Sequence, residues 1–464
     1  MTAPRLASAQ PTFLQSDRVL ARAAQPFARF LYVEAAGGIL LVAATVTALV
    51  WANSPWQASY ESLWSTTIRV EVGSYVFDED LGHLVNDLLM ALFFFVVGME
   101  IKRELVVGEL RDRRSVALPA MAALGGMIVP AAIYVAFNVG GDGAGGWGIP
   151  MATDIAFALG VVALLGDRVP GSVKVLLLTL AIVDDIGAIA VIAVFYADDL
   201  EPALLAVGLG VVVLVAVLHR VDVVYPPVLV ATGMLLWLVV YESGVHATIA
   251  GVVMGLLTPA RPFQTELHAE EVVDVLEGRP DLQAEDIRAT ASAIKGSVSA
   301  CDRLIDGLHP WTSYVIVPIF ALANAGIALS AASFSEPSAV LTGVAVGLIV
   351  GKLVGVAGFS WLAVRFGLGR LPDGESWGHV VGVATVAGIG FTVSLFITGL
   401  AFDTVSLQDD AKIGTLVASI VAAAAGTAVF AVVARSPRRR VAADGPGEPD
   451  HTTTDGPPQT APTD

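Results

Sequence analysis

Ionisable groups inside long apolar runs are the residues best placed to do chemistry. Asp184 and Asp185 sit side by side in Leu180-Ala-Ile-Val-Asp-Asp-Ile-Gly-Ala-Ile189, and Lys352 lies in the middle of another run. Asp87, Asp154 and His246 complete the set. A charge deep in a bilayer costs roughly 2.5–3.5 kcal/mol on insertion scales, so each one needs a reason. Neighbouring residues on a helix project ~100° apart, so the two carboxylates point into adjacent sectors of one face. With little water around them they cannot both ionise cheaply, so the pair suits the loading and release of protons. Once ionised, its oxygens suit a hard cation such as Na⁺. A fixed ion pair between the aspartates and Lys352 would leave one carboxylate uncompensated. Asp87, beside Asn86, also fits a plain helix-packing hydrogen bond, and His246, in Gly244-Val-His-Ala-Thr248, fits a structural role at a helix start.

The elements holding these groups must be membrane spans. The chain has 464 residues, 55% hydrophobic and only 15% charged, with a mean hydropathy of +0.73. A soluble domain could not cover so much apolar surface with so few charges. The net charge of −17 arises in part from one long acidic loop and a polar tail, and the single cysteine, Cys301, excludes a disulfide framework. Apolar stretches near the ~20 residues a crossing helix needs fall at 30–51, 82–101, 116–137, 149–165, 172–197, 202–218, 224–241, 244–258, 311–329, 338–364, 379–401 and 411–434. These are twelve expected spans of an all-α, polytopic membrane protein. With the N-terminus inside, 22 of the 26 basic residues fall on the inner side, among them Lys102, Arg103, Arg365 and Arg440. That asymmetry supports the count and places both termini in the cytoplasm of a cell whose inner (plasma) membrane holds the chain.

Residues 1–29 carry Arg5, Arg18, Arg22 and Arg29 and no long apolar core, so no cleavable signal is expected there and the first span serves as an anchor. Between the first two spans, the alternation from Ile68 to Val76 predicts a short hairpin on the outer face. Residues 260–308 form an acidic cytoplasmic loop, with amphipathic helices possible over Glu270–Leu276 and Asp286–Leu304. The tail, 436–464, is expected to be disordered: from Val441 on it offers nothing to bury.

Backbone breakage is the second signal. The fourth span contains Gly146-Trp-Gly-Ile-Pro-Met-Ala-Thr-Asp154 and the eleventh Gly388-Ile-Gly-Phe-Thr-Val-Ser394. Such sequences invite unwinding, which is tolerated only where protein or water covers the backbone. Spans three to five and ten to twelve run in opposite senses, each triplet with its interrupted helix in the middle, the topology of an inverted repeat around a mid-membrane site. Broken helices present partial charges at their ends. Asp154 near facing N-termini and Lys352 near facing C-termini would neutralise them.

At these residues the chain resembles the NhaA family of sodium/proton antiporters. The resemblance covers about residues 30–435. It runs through Asn86-Asp-Leu-Leu-Met-Ala-Leu-Phe-Phe-Phe-Val-Val-Gly-Met-Glu-Ile-Lys-Arg-Glu104, Ala152-Thr-Asp-Ile-Ala-Phe-Ala-Leu-Gly160, the Asp184-Asp185 segment, Gly244-Val-His-Ala-Thr-Ile-Ala-Gly251, His309-Pro-Trp311, Ala323-Asn-Ala-Gly326, Gly351-Lys352 and Gly388–Ser394. It implies two discontinuous crossing helices, with Asp185 the main Na⁺ or Li⁺ ligand and Asp184 beside it, paired to Lys352 when empty. Thr153 and Asp154 would mark the helix crossing, with Asp87 and His246 in support. Glu100, Arg103, Glu104 and His309 would border the cytoplasmic entrance, where the family adjusts activity to pH. The hairpin near 60–80 would carry homodimer contacts. The chain departs from the family pattern at Ile305-Asp306 and in its longer acidic loop.

The expected function is secondary active exchange: Na⁺ or Li⁺ exported against H⁺ by alternating access, electrogenic and pH-regulated. Na⁺, Li⁺, H⁺ and the lipid bilayer are the expected partners, with no cofactor, no nucleic acid and no enzymatic activity. A proton- or sodium-coupled organic-anion symporter and a non-transporting membrane sensor stand as alternatives.

Overall fold

The computed structural model describes residues 36–435 apart from 74, 112, 198–199, 221–225, 263–295, 330–334 and 372–374. The N-terminal segment 1–29, the expected helix over Glu270–Leu276 and the tail 436–464 lie outside the described residues.

The architecture is all-α with one small hairpin, and each predicted apolar stretch contains helix. Among the described residues, six helices are long and apolar enough to cross a membrane. They are α3 (Leu81–Val106), α4 (Arg113–Asn138), α7 (Gly171–Phe195), α8 (Pro202–Arg220), α13 (Ala339–Arg365) and α16 (Val405–Arg435). Three bent pairs raise the number to as many as nine. In the first, α1 (Ala36–Ala52) turns by 116° into α2 (Gln57–Trp64), a surface helix rather than a continuation of the span. The other two bend by only 45° and are the expected broken spans: α5 (Asp142–Met151) with α6 (Ile155–Leu164), and α14 (Trp377–Val386) with α15 (Phe391–Ala401). The remaining stretches hold the shorter helices α9 (Pro226–Tyr241) and α10 (Thr248–Leu257), then α11 (Ala300–Trp311) and α12 (Val317–Asn324) joined through one π-type turn. The single helix expected over Asp286–Leu304 is described only from residue 296, and there it is interrupted. The chain leaves helix at 298–299, Ser299 turns extended and caps a new helix through the Asp302 N–H, and α11 starts at Ala300 and runs into the ninth apolar stretch.

The hairpin forms as the alternation predicts: β1 (Thr67–Val72) pairs antiparallel with β2 (Tyr75–Asp80), from Thr67 opposite Asp80 to Val72 opposite Tyr75. Gly73 supplies the left-handed residue of the turn, φ +65°. The Tyr241 hydroxyl donates to the Glu79 carboxylate, and Asp80 caps α3 by accepting from the His83 N–H at 2.7 Å. The strand end is thereby fixed to α9 and α3 at once.

One close helix contact frames the site. In lipid, association rests on packing, so small residues let backbones approach. Gly125 of α4 faces Gly355 of α13, and a Cβ on either would collide with the other's carbonyl oxygen. Gly126, one residue on, leaves room for the Lys352 side chain: a Cβ there would lie 3.7 Å from its Nζ. The third and tenth spans, equivalent members of the two triplets, therefore meet where the buried lysine sits.

Candidate ion-binding site

The site is built where the two broken spans cross. Residues 152–154 leave helical geometry between α5 and α6, as residues 387–390 do between α14 and α15. Each break satisfies the other's backbone. The Asp154 N–H donates to the Ile389 carbonyl at 2.7 Å, and the Ser394 hydroxyl donates to the Ile149 carbonyl at 2.7 Å. Asp154 is the N-cap of α6, its Oδ1 accepting from the Phe157 N–H at 2.9 Å. Its Oδ2 accepts from the Thr392 N–H at 2.9 Å and the Thr392 hydroxyl at 2.7 Å, in the first turn of α15. One carboxylate thus serves two helix N-termini, whose partial positive charge favours the anion.

Beside this crossing lies the acidic pair, in mid-α7. Asp184 is fully buried. Its Oδ2 accepts from Lys352 Nζ at 2.5 Å and from the Thr153 hydroxyl at 2.7 Å, while its Oδ1 has no hydrogen-bond partner. The Thr153 hydroxyl also lies 3.0 Å from the Ala387 carbonyl, at the C-terminal end of α14. Lys352 is fully buried as well, and its ammonium is directed to Asp184. The resemblance implied this pairing of Asp184 with Lys352, and the Ala387 carbonyl at the end of α14 reaches the same cluster through the Thr153 hydroxyl.

Asp185 has no such partner. Its side chain is 4% exposed and its Oδ1 makes no hydrogen bond. It lines a cavity of about 610 Å³, open solvent at the mouth included, whose walls also carry Thr153, Asp154, Thr392, Glu100 and His309 amid Phe93, Val96 and Val97. Along α3 the cavity is lined from Phe93 to Glu100, two residues before Lys102 and its neighbour Arg103. Buried, lacking a bond at one oxygen and reached by a largely apolar passage with a few polar groups on its walls, Asp185 can hold a proton or a bare cation in turn. Among the described residues no three His, Cys, Asp or Glu side chains cluster as a resident metal site.

The remaining expected site residues fall in two places. Glu100 and His309 line the passage, whereas Arg103 and Glu104 pair with each other at 3.5 Å and are absent from its walls. Asp87 and His246 also lie away from the cavity, 3.9 Å apart from Asp87 Oδ1 to His246 Nε2. The His246 ring packs edge-on against Phe396 of α15 at 5.2 Å, so these two groups sit behind the crossing rather than in it. Three π-type turns mark polar positions: Val85–Leu89 contains Asp87, Thr312–Ile316 contributes Thr312 and Ser313 to the cavity wall, and Gly347–Gly351 delivers Lys352. Such bulges re-aim the residues that follow them. Reasoning from the sequence did not place Thr392 in the site. The signal was its membership of the glycine-interrupted motif, in the first turn after the break.

Comparison with known proteins adds three findings. Residues 28–430 match the family model described as Na⁺/H⁺ antiporter 1. The chain is 49% identical over 406 residues to Na⁺/H⁺ antiporter NhaA 3 of Frankia alni, covering 87% of this chain and 88% of that protein. It is 47% identical over 424 residues to Na⁺/H⁺ antiporter NhaA of Rhodopirellula baltica, covering 90% and 96%.

Proposed function

Because the chain belongs to the Na⁺/H⁺ antiporter 1 family, it is a multi-pass membrane sodium/proton antiporter, and we propose that Asp185 is its exchange carboxylate, loaded alternately with H⁺ and Na⁺ or Li⁺. The single observation that carries this assignment is the buried Asp185 oxygen without a partner at the end of the cavity. A proton satisfies that oxygen by neutralising it, and a cation satisfies it by coordination. The two therefore compete, and a site that crosses with one or the other bound performs exchange. Neither the organic-anion symporter nor the sensor is favoured by the comparisons.

Asp184 acts as the neighbouring anion, held by Lys352 and Thr153. Cation entry beside Asp185 adds positive charge near the Lys352 ammonium, so release of the lysine proton accompanies binding. More positive charge then enters as protons than leaves as Na⁺, and the membrane potential contributes ~2.3 kcal/mol per net charge per 100 mV. The Lys102–Arg103 end of α3 is the cytoplasmic one in this reading, so the cavity is the inward entrance. Glu100 and His309 set the local field at its walls, where the pH response arises. The hairpin serves as the contact of a homodimer in the plasma membrane, and Val70→Cys should cross-link two chains; only monomer would remove it from the interface.

The exchange is tested with a pH-sensitive dye in inside-out vesicles given NaCl, LiCl or KCl. Sodium-triggered proton release is expected, and Asp185→Asn should abolish it. A full response in the variant would remove Asp185 from the exchange.

A further inference from the structure

The outer half of the first broken span, α5, is unusually poor in internal support. It is a ten-residue helix of the tighter 3-10 kind, DGAGGWGIPM, with four glycines and a proline, residues that hold helical geometry weakly. Its C-terminal end nonetheless leads in two residues to Thr153, whose hydroxyl must meet Asp184 at 2.7 Å. Something has to hold α5 in register with α7.

Tyr196, the residue that closes α7, makes that connection. Its hydroxyl donates to the Gly145 carbonyl at 2.9 Å and accepts from the Gly148 N–H at 3.2 Å. Its ring stacks on Trp147, the centroids 6.4 Å apart and the planes 24° from parallel, and Trp147 meets Phe195 edge-on at 5.1 Å. Gly148 is fitted to this contact, because a Cβ there would lie 2.7 Å from the Tyr196 hydroxyl oxygen. A second tyrosine supports the same helix: the Tyr134 hydroxyl of α4 donates to the Gly143 carbonyl at 2.7 Å. The helix bearing the acidic pair is thus joined to the first broken span twice, at the break through Thr153 and at the outer end through Tyr196.

We propose that Tyr196 is a positioning residue for cation binding: by fixing α5 against the end of α7 it sets the place of Thr153 on Asp184, and through it the shape of the site that receives Na⁺. It touches neither the ion nor the acidic pair. The inference rests on the assignment of the cation to Asp185 and its neighbour Asp184.

The test is ²²Na⁺ binding by scintillation proximity on the full-length purified protein, with dye-detected exchange in proteoliposomes alongside. Tyr196→Phe keeps the ring against Trp147 and removes both hydrogen bonds. About a fivefold weaker Na⁺ affinity is expected, the effect of a hydrogen bond or two, with a matching rise in KM and a maximal rate within about twofold of wild type. Thr153→Val should weaken binding too, and adding Tyr196→Phe to it should cost little more, because both act through one contact. Should Tyr196→Phe lower the amount of folded protein, Gly148→Ala breaks the same contact from the other side, with the same expected rise in KM. Unchanged Na⁺ affinity in a folded variant overturns the proposal, as does a double variant whose losses multiply in full. Bound ²²Na⁺ that persists in Asp185→Asn would instead overturn the assignment on which the proposal rests.

Discussion

Asp184 and Asp185 are adjacent in sequence and alike in chemistry, yet the fold gives them opposite circumstances. Asp184 is saturated on one oxygen by an ammonium and a hydroxyl, and Asp185 is left to the cavity. Breaking a buried pair by removing one partner typically costs about 3–5 kcal/mol, because the other charge stays buried without compensation. Lys352→Met should therefore lower the melting temperature in detergent markedly, and Asp184→Asn in the same chain should restore part of the loss. If Lys352→Met melted like wild type, the ion pair would have no part in holding α7 against α13. The acidic pair and the lysine were legible in the sequence because charge in an apolar run is conspicuous. Thr392 was not, since a threonine is common inside helices and its meeting with Asp154 spans 238 positions. The partner of Lys352 came from the family resemblance alone, because depth in a span says nothing of which neighbour it faces.

At the scale of elements, the breaks are where sequence and structure agree most closely. Glycine and proline density pointed to the middle helix of each triplet, and both bend there by 45°. The apolar count ended the first span at 51, within a residue of the end of α1, but the surface helix α2 beyond the 116° turn was not foreseen, because a short polar helix leaves no mark in an apolar count. The π-type turns were equally hidden, since one extra residue in a helical turn leaves no compositional mark. The packing of α4 on α13 depends on the Gly125–Gly355 approach. Gly355→Val would force the helices apart, where overpacking costs about 1–3 kcal/mol. A lower melting temperature and weaker exchange are expected, with Gly358→Ala, which faces open space, unchanged. Equal stability of the Gly355 and Gly358 variants would contradict a tight crossing of these spans.

Across the whole molecule, an all-α membrane protein was evident from hydropathy and charge asymmetry, and the hairpin from its alternation. The long acidic segment carried no comparable signal, because a solvated linker and a regulatory helix share the same composition. What the whole molecule supplies to the site is cover. Two unwound stretches of backbone and a lysine–aspartate pair persist in mid-membrane because each break is bonded to the other and the crossing is enclosed by neighbouring spans. Under the proposed role of Asp185, that enclosure would make proton and cation rivals for one carboxylate instead of independent guests in water. The direct measurement is calorimetry of Na⁺ or Li⁺ binding to the purified protein in buffers of different ionisation heat, which counts the protons released as the cation binds. The account predicts protons released in proportion to cation bound, both lost in Asp185→Asn. Cation binding that releases no proton at any pH would contradict it.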